Sequence, residues 1–242
     1  MKKIFLFLAI ASLAITSCRK DDEESTTEEV SIETQNSYDD EAIKQFLNDN
    51  YFDARGNIVA FSSTVTTDDN EKPLAGYNPV TLPSGVVYIS RYTPTNGKAI
   101  ASNDILRIMQ RSNTYVAVKA TDGKIKFDSQ NLFRNTVDAT GTPEVDPAYY
   151  YVKNSVLTSD TYKDKTRSYF EIEGLQEGLK YFKSTEVPDS DNYNMQGVII
   201  VPSRAAFARD DHFVYSSYAF RNRSFVFTFQ IYKTDTRTSA QD

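Results

Sequence analysis

The chain has 242 residues, a formal charge of −6, one histidine, one cysteine and no tryptophan. The acidic balance argues against nucleic-acid binding, which needs a basic face with counterions to release. A lone cysteine excludes an internal disulfide, and with no second histidine or paired cysteines there is no metal-ligand set.

Lys2 and Lys3 precede an apolar run, Ile4 to Ile15, that ends in Thr16-Ser17-Cys18. The run is too short to span a bilayer and has the basic start and small-residue end of a secretory signal, residues 1–17. Ile15-Thr16-Ser17-Cys18 resembles a bacterial lipobox, which implies that Cys18 becomes the lipidated first residue. Acyl chains there give membrane attachment, each buried methylene contributing about 0.8 kcal/mol. Losing Lys2 and Lys3 with the signal moves the charge from −6 to −8. Arg19-Lys20-Asp21-Asp22-Glu23-Glu24 opens an acidic tether, residues 18–36, expected to stay extended. Lysine and acids directly after the lipidated cysteine also resemble an export signal for the outer face of the outer membrane. An outer-membrane lipoprotein is therefore expected, on the cell surface or on the periplasmic face.

Asp39 to Phe52 places Ile43, Phe46, Leu47 and Tyr51 on one face and predicts an amphipathic helix capped by Ser37 or Asp39. Gly56-Asn57 supplies a turn and Ile58-Val59-Ala60-Phe61 a short strand. Residues 37–81 thus form an N-terminal helical segment whose expected role is packing. Tyr149-Tyr150-Tyr151, with Pro143 and Pro147 before it, lies in a long stretch that either rims a groove or packs on a sheet as an added hairpin. Leu175, Leu179 and Phe182 recur at i, i+4 and i+7, predicting a short helix entered through Gly174. Gly178 within it costs stability unless backbone must approach a neighbour closely. Val198-Ile199-Ile200-Val201 reads as a β-branched strand closed by Pro202. His212 reads as a solvated loop histidine, or as a substrate contact. Ser224 to Tyr232 alternates strongly enough to bury one face.

Several of these stretches, taken in order, resemble the FKBP-type peptidyl-prolyl isomerases. Leu82-Pro83-Ser84-Gly85-Val86-Val87-Tyr88 is similar to that family's Leu-Pro-Ser-Gly-Leu-x-Tyr, and Asn103-Asp104-Ile105-Leu106-Arg107-Ile108 to its next strand. Asp122-Gly123-Lys124-Ile125-Lys126-Phe127-Asp128-Ser129 is similar to Asp-Gly-x-x-Phe-Asp-Ser, and Glu171 to Gly178 to Val-Ile-x-Gly-Trp-x-Glu-Gly. Val201-Pro202-Ser203, Ala206-Phe207-Ala208 and Phe225 to Ile231 complete the series. The resemblance implies an α+β fold, a twisted antiparallel sheet wrapped around a short helix, over residues 82–234. Insertions beyond the family's length fall near 130–167 and 185–195.

By the same resemblance, Phe127, Asp128, Ile172, Leu175, Phe207 and Phe227 should form the catalytic prolyl pocket. Gln110, Glu171 and Ala219 should contact substrate. Leu175 stands in place of a floor tryptophan, Phe207 and Gln110 in place of tyrosines, and Glu171 in place of an apolar residue. The implied function is a membrane-anchored isomerase acting on X-Pro bonds of exported proteins without a cofactor. Because that reaction breaks no bond, the lack of a catalytic triad does not oppose it. The alternative is a non-catalytic binding or assembly module on the cell envelope. A surface nutrient-capture role rests on the anchor alone.

Overall fold

The computed structural model describes residues 29–242. The expected signal, Cys18 and the greater part of the tether lie outside the described residues. In chain order the main elements are α1 (Ile32–Asp49), β1 (Asn50–Phe52), β2 (Ile58–Ala60), β3 (Val80–Thr81), β4 (Val87–Ser90), β5 (Ile105–Lys119) and β6 (Ile125–Asn135). They continue with α2 (Thr136–Ala139), β7 (Glu144–Val145), α3 (Asn154–Leu157), α4 (Glu173–Leu179), β8 (Gly197–Val201) and β9 (Arg223–Asp235). The architecture is α+β. β1 and β2 form a hairpin of their own, and the other seven strands form one sheet in the order β3-β4-β8-β9-β5-β6, with β7 also on β5. Every pairing is antiparallel.

Side chains alternate across a strand, and both faces of this sheet are covered. On the inner face, Phe225, Phe227, Phe229 and Ile231 of β9 and Ile199 and Val201 of β8 meet Leu175 and Leu179 of α4. On the outer face, Val226, Val198 and Ile200 meet Ile43 and Leu47 of α1. The predicted apolar strand and the predicted alternating strand are therefore the sheet's centre, buried from both sides.

Helix α4 reaches the sheet through its glycines. A Cβ on Gly174 would lie 2.5 Å from Val201 Cγ1 and 2.8 Å from the Ala205 carbonyl oxygen, and one on Gly178 would lie 2.8 Å from Ile199 Cγ2. The close backbone approach that justifies Gly178 is thus present, and it sets the height of the helix above β8.

Three expectations need correction. The first helix starts at Ile32, where Ser31 Oγ caps the Thr34 amide at 3.1 Å, so the tether ends before residue 36. Asp39 is no cap: it is buried, accepting from Gln35 Nε2 at 3.0 Å and from Ser203 N and Oγ at 2.8 and 2.6 Å. Burial pushes its carboxyl above the usual aspartate range, against those hydrogen bonds. These bonds join α1 to the turn that follows β8, within the one compact unit of residues 31–242. Finally, β5 is far longer than the strand predicted near Asp104 to Ile108. It pairs with β9 from Ile105↔Asp235 to Val116↔Arg223, and β6 runs on to Asn135, inside the stretch expected as an insertion.

Candidate functional site

Four residues expected in the prolyl pocket come together. Ile172 precedes α4, Leu175 lies in its first turn, Phe207 follows the turn after β8, and Phe227 belongs to β9; all four share the inner cluster. Ile172, Leu175 and Phe227 are 0% exposed and Phe207 is 3% exposed. A cavity that admits a ligand leaves part of its lining open. This one is closed.

The protein's own rings fill it. Phe133 of β6 packs edge-on against Tyr149, Phe225, Phe220 and Phe227, with centroids 5.0, 5.2, 5.6 and 5.9 Å away. Phe207 stacks on Phe220 at 5.8 Å and on His212 at 4.8 Å. Tyr149, from the proline-flanked tyrosine run, donates its hydroxyl to Glu144 Oε2 at 2.7 Å and accepts from Gln110 Nε2. Burial and the neighbouring Glu144 carboxylate push its phenol well above the usual tyrosine value. Tyr149 and Tyr150 are each 1% exposed, so the run packs rather than rims a groove.

Phe127 and Asp128 do not join this cluster. Phe127 lies on the outer side, its ring 5.2 Å from Tyr115 and 5.8 Å from Phe46 of α1, and Asp128 is exposed, accepting among the described residues from the Ser129 amide at 2.7 Å. The pairing of β5 with β6 shifts register between Ser112 and Asn113 and again between Thr114 and Val116, which breaks the regular alternation of faces along β6. Phe133 therefore holds the place in the inner cluster, with the Arg134 guanidinium 4.9 Å from its ring. The sequence carries no signal of this: Asp128 to Asn131 is a polar run, and Phe127 and Phe133 would share a face in a regular strand.

The expected substrate contacts have other duties. Gln110 is buried and bound to Tyr149, Glu144 and Ser112. Glu171 is buried and accepts from the Val152 amide at 2.8 Å, Arg167 Nη1 at 2.9 Å and Gln176 Nε2 at 3.0 Å, tying the tyrosine stretch to α4. Ala219 is exposed on a loop. His212 is not solvated: Nε2 accepts the Phe220 amide at 2.8 Å, which leaves Nδ1 to donate to the Asp210 carbonyl at 2.8 Å.

Open concavity lies outside the hollow. A groove of about 720 Å³ runs beside α4, lined among others by Ser84, Arg167, Glu173, Glu177, Lys180 and Arg204. Ser84 Oγ donates to the Glu177 carboxylate, and Arg204 Nε donates to the Ser84 carbonyl at 3.1 Å. Charges of both signs make it suited to polar partners and poor for a bare prolyl ring.

No protein-family model matches the sequence, and no curated protein does. Among solved structures, the chain is similar to FkpA from Escherichia coli, at 18% identity and TM-score 0.34 over 64% of this chain and 51% of that one. It is also similar to a peptidyl-prolyl cis-trans isomerase from Pseudomonas syringae, at 14% identity and TM-score 0.33 over 65% and 81%. A third likeness is to the N-terminal domain of FKBP42 from Arabidopsis thaliana, at 12% identity and TM-score 0.37 over 65% and 92%. The chain spans about half the length of FkpA.

Proposed function

We propose that the protein is a non-catalytic binding or assembly module of the cell envelope, built on an FKBP-like scaffold and anchored through Cys18. The observation that carries this reading is the filled hollow. Lowering the barrier of about 20 kcal/mol to X-Pro rotation requires seating the prolyl ring where the twisted amide is favoured. Here that volume holds Phe133, Tyr149 and Phe220. Partner binding falls instead to the charged groove beside α4, which suits an extended polar segment of an exported protein.

The isomerase reading retains one supporting observation, the convergence of Ile172, Leu175, Phe207 and Phe227. It demands that Tyr149 and Phe220 withdraw from the hollow. A protease-free assay of short X-Pro peptides separates the two. The expected result is the spontaneous rate; acceleration that is lost in Phe227→Leu would restore the enzyme. Binding of exported segments, weakened by Glu177→Lys or Lys180→Glu, is the expected positive result.

A further inference from the structure

On the opposite face of the sheet, where α1 crosses β5 and β9, a hollow of about 150 Å³ is lined mostly by polar groups. Arg111, Asn113 and Tyr115 stand at alternate positions of β5 and so project to one side, and Thr228 is paired across from Arg111. The hairpin of β1 and β2 closes one wall with Asn50 and Asn57, and Gln130 of β6 closes another.

Much of the hydrogen-bonding capacity here is unspent. Asn57 is 6% exposed and its Nδ2 donates to Asp53 and Tyr193, yet its Oδ1 has no partner. Arg111 Nη2 donates to both Asp138 oxygens at 2.8 and 2.7 Å, but its buried Nε has no acceptor. The side chains of Asn113, Gln130 and Thr228 make no hydrogen bond among the described residues. An unpaired buried polar group costs about 1–3 kcal/mol, and native proteins keep few of them. Both orphan atoms are shut off from solvent, so what the hollow itself presents are the side chains of Asn113, Gln130 and Thr228.

The remaining wall is aromatic, formed by Phe46 and Tyr115 with ring centroids 5.7 Å apart. Water satisfies amides but gains nothing from rings. Both surfaces suit a ligand with hydroxyls on its rim and C–H bonds on its face. The Arg111 charge is already matched by Asp138, which favours a neutral molecule. The hollow also shares Phe46, Asn50, Tyr115 and Gln130 with a second one of about 230 Å³ that extends past Lys126 and Asp49. From this geometry we infer that the groove beneath the C-terminal half of α1 is a binding site for a neutral oligosaccharide, with one sugar unit in each hollow. The site is on the far face of the sheet from α4, so it stands or falls independently of the X-Pro result.

The test is titration of the full-length chain with maltotriose, cellotriose and chitotriose by calorimetry and saturation-transfer NMR. Trigalacturonate and an unrelated tripeptide serve as contrasts. Saturable binding of at least one neutral trisaccharide is expected, weakened about ten-fold or more in Asn113→Leu and in Gln130→Leu, the scale of a lost hydrogen bond with its partner left unpaired. Neither residue supports the fold through a side-chain hydrogen bond, so the melting temperature should hold or rise in both variants. Absence of binding by all three, retention of binding in both variants, or preference for the anionic sugar or the peptide would overturn the assignment and leave a water-filled cleft.

Discussion

The two faces of the central sheet use the same strands in opposite ways. From β9, Phe225, Phe227 and Phe229 enter a buried interior and pack against the rings of Phe133 and Phe182. Their neighbours Val226 and Thr228 face α1, where a polar hollow keeps donors and acceptors unspent. The inner face is full; the outer face, though crossed by α1, keeps an open hollow. A concentration of apolar side chains therefore marks the core here, and the polar hollow marks the better place to look for a ligand.

The sharpest way to break this contrast is Tyr149→Ala. If Tyr149 fills the inner hollow, the truncation leaves a cavity and should cost about 3–5 kcal/mol, read from urea denaturation. A cost below about 1 kcal/mol would mean that the interior is not packed around that ring. The next largest effect concerns the clamp holding the tyrosine run in place. Arg237 is bound to Asp146, with side chains 2% and 12% exposed, and its guanidinium lies 4.4 Å from the Tyr151 ring. Arg237→Met strands the Asp146 carboxylate, leaving only Lys153 at 3.1 Å, and should cost about 3 kcal/mol in the same measurement. Asp146→Asn added to that variant should recover part of the loss.

Acidification separates the faces by sign. Burial pushes Asp39 above its ordinary value, so the folded state binds a proton there before the unfolded state does. Its contribution to stability grows as pH falls through that raised value towards the ordinary one. For Asp146, burial acts upward but Arg237 and Lys153 outweigh it and hold the carboxyl below the ordinary range. That contribution is present above the ordinary aspartate value and disappears as pH falls through the lowered one. Amide exchange across the carboxylate range, about pH 3 to 5, should show residues 146–152 losing protection while the junction of α1 with Ser203 keeps or gains it. The smallest effect is expected from Asp128→Ala, which should leave the denaturation midpoint unchanged because the carboxylate is exposed and, among the described residues, bonds the next amide.

The parts of the fold legible in the sequence were those set by local periodicity. The β-branched run at Val198, the alternation from Ser224 and the spacing of Leu175 and Leu179 each reappear as β8, β9 and α4. The candidate site was legible only in part. Ile172, Leu175, Phe207 and Phe227 cluster as the motif implies, but motif text does not encode register shifts, and those in the pairing of β5 with β6 leave Phe127 on the opposite face from Phe133. Nor does sequence distinguish a tyrosine that lines a groove from one that fills it, since both need the same ring. The outer hollow left no trace, because its polar groups come from a hairpin and three strands, and its Phe46 from α1, which only the tertiary fold brings together.

The seating of α4 on bare backbone has an evolutionary consequence. Elsewhere in the inner interior one ring can replace another if its neighbours adjust, so an exhaustive substitution library should show those positions tolerating exchange within a chemical class. At 174 and 178 any side chain would collide with the β-branched side chains of Val201 and Ile199 of β8, and at 174 also with the Ala205 carbonyl oxygen. The library should find those two positions admitting glycine alone, and drift in this lineage should repaint the walls of the molecule long before it touches that hinge of contact.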